Sequence, residues 1–245
     1  MPRGELVFSS NFECGNLEAA TRLSKHEWEL QLRPDTNNER HRLWFYFKVR
    51  NTARNQKVLF SIVNFSKGRS SFRDGMAPVV RSTHRPVWQR LASQNCLYYR
   101  QPRKPCGGGY CLSFFFQFDQ PGEEYSFAYC FPYSYTDLQR YLFRLERRCA
   151  ASYLQRSLLC RTPQHRRVDL LRITNPAVDD RAKRVVVLTA RIHPGETPAQ
   201  FIMQGMLDFL CSPLDPRKSG PGLFACFVHG AGEKGIPLGC CYSTG

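Results

Sequence analysis

The sequence predicts an α+β chain of more than one domain, an N-terminal antiparallel β-sandwich followed by the start of an α/β domain. Three observations predict it. Across the first 133 residues, short segments alternate apolar and polar side chains at period two, with turn residues between them. At Thr136 the period changes to that of a helix. Near residue 185 a run apolar on both faces leads through a Pro/Gly loop into a second helical pattern, the strand–loop–helix order of an α/β unit.

Taken in order, Glu27 to Arg33 alternates strictly and then meets the turn cluster Pro34-Asp35-Thr36-Asn37-Asn38. Leu43, Phe45, Phe47 and Val49 share one face of the next strand. Further strands are expected at Lys57–Phe65, Ala77–Ser82, Val87–Leu91, Cys96–Arg100, Cys111–Asp119 and Glu123–Phe131. In the last two, Leu112/Phe114/Phe116/Phe118 and Tyr125/Phe127/Tyr129/Phe131 mark the inward faces, and Gln120-Pro121-Gly122 turns between them. Cys106 to Cys111 reads as a flexible hairpin tip. Seven or more short strands at this spacing make a sandwich.

Thr136 with Gln139 has capping-box spacing, and Leu138, Tyr141, Leu142, Leu145 and Cys149 then recur at helical intervals. The opposite face carries Arg140, Arg144, Arg147 and Arg148, readable as a solvated face or as a surface that attracts anions. A strand is expected at Val168–Thr174. Val185 to Ala190 reads as a buried parallel strand, and Phe201, Ile202, Met206, Phe209 and Leu210 give a helix over Pro198–Leu210. The domains expected are 1–133 for the sandwich, 134–218 for the α/β part and 219–245 for a Gly-rich tail.

Composition narrows the classes. With 42% hydrophobic and 13% aromatic residues in 245, a packed core is accessible and global disorder is excluded. No apolar run approaches the roughly 18 residues of a membrane span, and the opening MPRGELVFSS has no apolar export region. Eleven cysteines, odd in number and irregular in spacing, read as reduced thiols. The formal charge of +15 points to a polyanionic partner. It is concentrated: residues 136–184 carry twelve basic and five acidic side chains, whereas 185–245 carry four of each. Nucleic acid is disfavoured, because no zinc-finger, helix-turn-helix or RNA-binding aromatic motif accompanies the charge.

The chemistry lies in the loop Ala190 to Pro198. In open α/β sheets ligands bind beyond the carboxyl ends of strands. His193 and Glu196 stand there three residues apart, imidazole and carboxylate are both zinc ligands, and Pro194-Gly195 can fold the loop so that both face one ion. Taken alone, the pair also fits an ordinary loop histidine and a glutamate near a helix N-terminus.

In context, the segment resembles the first metal-binding motif of the zinc carboxypeptidases, a buried strand followed by His-Pro-Gly-Glu. More narrowly, the chain to about Arg217 is similar to the cytosolic carboxypeptidases, or protein deglutamylases, in their short forms, the ATP/GTP-binding-protein-like carboxypeptidases. The resemblance is carried in family order by Phe8 to Leu17 (FSSNFECGNL), Asn64 to Lys67 (NFSK), Arg73 to Pro78 (RDGMAP), Phe127 to Tyr133 (FAYCFPY), Val168 to Leu171 (VDLL) and Arg191 to Pro198 (RIHPGETP). It implies a β-sandwich before an α/β zinc-carboxypeptidase domain, and hydrolysis of glutamates from polyglutamylated or acidic C-terminal tails such as those of tubulin. It further implies one Zn2+ held by His193, Glu196 and a later histidine, with a later glutamate as general base. The zinc lowers the pKa of bound water and polarises the scissile carbonyl. The implied setting is the cytosol, near microtubules, centrioles or basal bodies, with polyglutamylated proteins as partners and neither nucleic acid nor membrane.

From Ser219 onward the text departs from that pattern and reads as an alternative C-terminus, from a splice form or a gene-prediction product. The third ligand and the catalytic glutamate are not identifiable, and no substrate-binding residue can be named. His229 precedes a glycine but in unmatched surroundings; Glu233, Cys226 and the Cys240-Cys241 pair are poorer candidates, and His26, His41, His84 and His165 read as surface residues. On this reading the chain is C-terminally truncated and inactive as given, and the alternative is a non-catalytic form that binds acidic tails through its sandwich and basic helix. A stable sandwich joined to a marginal second domain is expected, with Leu223 to Val228 partly covering the edge of the parallel strand.

Overall fold

Strands arise where alternation lets one face leave water while the other stays in it. In a computed structural model the residues described are 5–36, 38–101, 109–193 and 195–212, together with the backbone of 222–228. The chain divides into two units, Met1–Pro132 and Tyr133–Gly245. The first holds β1 (Val7–Ser9), β2 (Ala19–Arg22), β3 (Glu27–Gln31), β4 (Tyr46–Arg50), β5 (Lys57–Phe65), β6 (Val79–Ser82), β7 (Gln89–Arg90), β8 (Cys96–Arg100), β9 (Tyr110–Gln117) and β10 (Tyr125–Ala128). They form two five-stranded sheets, ordered β1-β4-β10-β6-β7 and β2-β3-β5-β9-β8.

Between the sheets lies a core of aromatic rings. Phe45, Phe47, Phe60, Phe114 and Phe127 are wholly buried, with Phe47 stacked on Phe127 at 5.5 Å and Phe60 against Phe114 at 5.4 Å. Each such burial is worth roughly 1.5–3 kcal/mol, and each ring pair about 0.5–1.5 more. The alternation along Lys57–Phe65 and Leu112–Phe118 therefore did report the buried face. Two strands escaped it: β1 and β2 have three and four residues, too few to show a period. One pairing differs from an all-antiparallel sandwich, since β3 runs parallel to β5, with Glu27 opposite Leu59.

Several of the distinctive N-terminal segments are structural clamps. Asn64 bridges Leu32, accepting from its N–H and donating to its carbonyl at 2.9 Å each, which prolongs the β3–β5 contact. Asn16 donates to the carbonyls of Arg33 and Trp44 and accepts from the Arg33 N–H. Beside it, a Cβ at Gly15 would lie 2.2 Å from the Ser10 carbonyl oxygen, so only glycine fits. Gly75, at φ 91°, closes the short turn Ser71–Asp74 in a conformation that disfavours other residues. Of the Cys106–Cys111 tip, residues 106–108 lie outside the described residues, and β9 already begins at Tyr110.

The second unit contains α1 (Tyr135–Arg148), β11 (Leu154–Arg161), β12 (Arg167–Thr174), β13 (Arg184–Ala190), α2 (Pro198–Leu210) and β14 (Gly222–Val228). Its sheet is ordered β11-β12-β14-β13. β14 lies antiparallel to β12 and parallel to β13, with Val185 opposite Leu223. The core gathers Leu138, Leu142 and Leu145 of α1, Leu171 and Ile173 of β12, and Met203 and Leu207 of α2.

The second unit departs from expectation in four places. The capping box is Ser134 with Asp137, two residues before the expected Thr136/Gln139 pair: the Ser134 hydroxyl accepts from the Asp137 N–H, and the Asp137 carboxylate accepts from the Ser134 N–H, both at 3.0 Å. A carboxylate also suits the positive end of the helix better than an amide. β11 was not expected, because a bulge between Leu158 and Cys160 breaks its alternation. β13 forms at the expected place but is not buried: Val185 and Val187 are 62% and 55% exposed on a strand at the edge of the described sheet. Along α2 the buried residues are Gln200, Met203 and Leu207, while Phe201, Ile202, Met206 and Phe209 of the expected stripe are exposed. The helix periodicity was real, but it marked a face that nothing described here covers.

Candidate metal centre

The candidate loop begins where β13 ends. Ala190 is buried, and Arg191 follows with a left-handed φ of 60°, an uncommon and strained setting for a side chain of that size. Its guanidinium is buried and donates to the Tyr133 carbonyl at 3.3 Å, so the chain leaves the strand along a fixed direction. Ile192 and His193 then project into solvent. The Glu196 N–H donates to the His193 carbonyl at 3.0 Å, closing a turn around 193–196. Thr197 is buried and precedes Pro198, which opens α2 with the φ that a first helical residue needs.

The turn brings the two side chains together. His193 Nδ1 lies 3.1 Å from Glu196 Oε2, and the side chains keep 73% and 64% of their exposure. Two donors held at zinc-ligand distances of a tetrahedral ion stand about 3.3–3.6 Å apart. The observed separation is only slightly shorter. The donor types, imidazole nitrogen and carboxylate oxygen, suit zinc, and both side chains are largely exposed. The two residues therefore fit a metal as part of a ligand set.

Among the described residues no group of three or more His, Cys, Asp or Glu stands together, so the third partner is not found there. His229, Glu233 and the Cys240-Cys241 pair lie outside the described residues, as does the side chain of Cys226. His26, His41, His84 and His165 are exposed, as surface residues should be. The described cysteines are all free thiols. No helix among the described residues is long and apolar enough to cross a membrane.

A second charged cluster was legible in the sequence only as part of a motif. Asp169 on β12 is fully buried and accepts from Arg156 Nε at 3.1 Å and Nη2 at 3.0 Å, from Gln139 at 3.0 Å and from Arg167 at 3.1 Å. Burial would raise its pKa, but the hydrogen bonds and charge of Arg156, with Gln139 and Arg167, outweigh it and hold the carboxyl below its ordinary value. Arg156 also meets Glu146 of α1 at 3.0 Å, so the cluster ties α1, β11 and β12 together. The basic excess of residues 136–184 is thus partly consumed inside the fold. Arg148 pairs with Asp208, and Arg172 and Lys183 pair with Asp180.

Residues 8–103 match the family described as cytosolic carboxypeptidase N-terminal domain. Over 214 residues, 86% of this chain, the sequence is 48% identical to cytosolic carboxypeptidase 6 of Homo sapiens, of which that stretch is 42%. It is 43% identical over 215 residues to cytosolic carboxypeptidase 6 of Caenorhabditis elegans, covering 46% of that protein. The chain thus spans less than half the length of these relatives. Among solved structures, a metallo-carboxypeptidase from Burkholderia cenocepacia superposes with a TM-score of 0.71 at 21% identity, over 91% of this chain and 55% of that one. That likeness is one of fold.

Proposed function

Since the chain belongs to the cytosolic carboxypeptidase family, a family of peptidases and hence hydrolases, we propose that it carries the first part of a zinc carboxypeptidase site of the deglutamylase type. The observation that carries the reading is the 3.1 Å approach of His193 Nδ1 and Glu196 Oε2 at the carboxyl end of a parallel strand. The substrates are polyglutamylated or acidic C-terminal tails, tubulin among them, and the setting is the cytosol close to microtubules. A third ligand and a general base would come from outside the described residues.

Zinc, when bound, supplies a Lewis acid that polarises a carbonyl and acidifies a water. What this chain's residues do is narrower. His193 and Glu196 present one nitrogen and one oxygen on a hydrogen-bonded turn, Arg191 fixes where that turn starts, and the buried base of α2 fixes where it ends. The two ligands identified among the described residues would by themselves hold zinc more weakly than a three-ligand site.

The test has two arms. Zinc retained by the 245-residue chain, measured by mass spectrometry against free zinc, should weaken at least tenfold on His193→Ala. Glutamate release from a polyglutamylated peptide in zinc buffer should, wherever it occurs, vanish with the same substitution. Zinc uptake indifferent to His193, or release that survives its loss, would sink the reading.

A further inference from the structure

Two neighbouring basic side chains of α1 lack a carboxylate partner among the described residues; Arg144 Nε donates only to the Arg140 carbonyl, at 3.3 Å. Arg140 and Arg144 of α1 have no carboxylate within ion-pair distance among the described residues, unlike Arg148, Arg156 and Arg167. Both line a cavity of about 440 Å³ beside α1 and α2. Its walls are the rings of Tyr133, Tyr141 and Phe143, with Gln204 of α2 at the far side. Phe143 is 57% exposed. Arg147 lies over its ring, 5.6 Å from the centroid, and adds a third cation at the rim.

We propose that this cavity is a binding site for an extended acidic peptide, in which Arg140 and Arg144 take the side-chain carboxylates of two alternate glutamates. Residues one helical turn apart have Cβ atoms about 5–6 Å apart. Same-face residues of an extended chain are about 6.5–7 Å apart. Two guanidiniums at i and i+4 therefore match glutamates at i and i+2, and each can take its carboxylate in bidentate fashion. The aromatic walls suit the glutamate methylenes. Asp137, the acidic group in the lining, has its Oδ2 turned to the Ser134 N–H and hydroxyl at the helix N-terminus, and the two arginines outnumber its single charge. The Gln204 oxygen is taken by the Tyr133 hydroxyl at 3.0 Å, so what this amide offers a ligand is its NH2.

The site also connects to the candidate metal loop. Tyr133 forms part of the cavity wall, and its carbonyl accepts the buried guanidinium of Arg191, two residues before His193. Its ring meets Phe201 of α2 edge-on at 5.1 Å. An acidic chain seated here rests on the residue that sets the loop's starting direction. The inference builds on the reading of acidic tails as substrates and adds to it a place of engagement apart from the metal ligands.

The experiment is fluorescence anisotropy with a labelled hexaglutamate peptide and the 245-residue chain. R140Q/R144Q should raise Kd at least tenfold. R181Q/R184Q, which removes the same charge from exposed positions elsewhere, should change it less than twofold, and R140K/R144K should recover part of the loss. Unfolding midpoints close to that of the unsubstituted chain would confirm that each variant is folded. Equal weakening by both glutamine pairs, or competition by duplex DNA as effective as unlabelled hexaglutamate, would reduce the cavity to general attraction for polyanions and overturn the proposal. Binding that survives R140Q/R144Q would overturn it while leaving acidic substrates in place. No binding of hexaglutamate by the unsubstituted chain would remove both.

Discussion

Asp169 shows how much one side chain can hold together. It is fully buried, so removing it takes from Arg156, whose side chain is only 12% exposed, the carboxylate that both its Nε and Nη2 meet, and leaves it Glu146 and Gln139 alone. Breaking a buried pair in this way costs about 3–5 kcal/mol. Asp169→Ala should therefore lower the unfolding midpoint of the second unit strongly, measurable by urea titration, whereas truncating the exposed Asp180 should shift it far less. The pH dependence follows from the lowered pKa. Its stabilisation is complete above the unfolded carboxyl value near 3.9 and is lost as pH falls through the still lower folded value. Thermal melts from pH 7 to pH 3 should show a steady gap between the unsubstituted chain and Asp169→Asn that closes only below about pH 4. A gap that closed near neutrality would contradict this assignment. At this scale the sequence was least explicit: His193 and Glu196 could be singled out by type and spacing, but nothing in Val168-Asp169-Leu170-Leu171 announced the partners of Asp169, which are spread over thirty positions.

For single elements, legibility depended on length and on what lay opposite. β5 and α2 have the bounds read from the sequence, because nine and thirteen residues give a period room to appear. β1 and β2 were too short, and the bulge in β11 put two leucines side by side and hid the alternation. Patterning could identify β13 and α2 but not their cover: a wholly apolar run predicts a strand meant for burial, not one already buried. The start of α1 had two overlapping caps available, and the one with a carboxylate was chosen. Ser134→Ala should thus cost about 1 kcal/mol, and Thr136→Ala only a few tenths. Paired urea titrations would separate them, and equal losses would mean that the cap has been misplaced.

Across the whole molecule, the aromatic sandwich and the second unit differ in how much apolar surface they leave in water. Residues Met1–Pro132 enclose a ring-lined core, while Tyr133–Gly245 exposes Val185, Val186 and Val187 along with Phe201, Ile202, Met206 and Phe209. Exposed apolar stretches of this extent go with low local stability or an absent partner surface. Limited proteolysis should first cut within the second unit and leave a resistant fragment ending near residue 132. Two fragments of equal resistance would contradict this. The +15 charge, which as a bare total suggested nucleic acid as readily as anything else, is spread over the molecule: some cations are tied into ion pairs, and Arg140 and Arg144 of α1 stand together without a carboxylate partner among the described residues.

β14 has a consequence for the order of events during synthesis. It is inserted between β12 and β13, so two strands neighbouring in sequence never pair with each other and are bridged by residues Gly222–Val228, made well after both. The sandwich can form as soon as its last strand leaves the ribosome, but β12 and β13 must each wait with an open edge until residue 228 has emerged. For that interval the nascent chain presents two unsatisfied rows of amides and carbonyls, the surface on which chaperones act and from which aggregation starts.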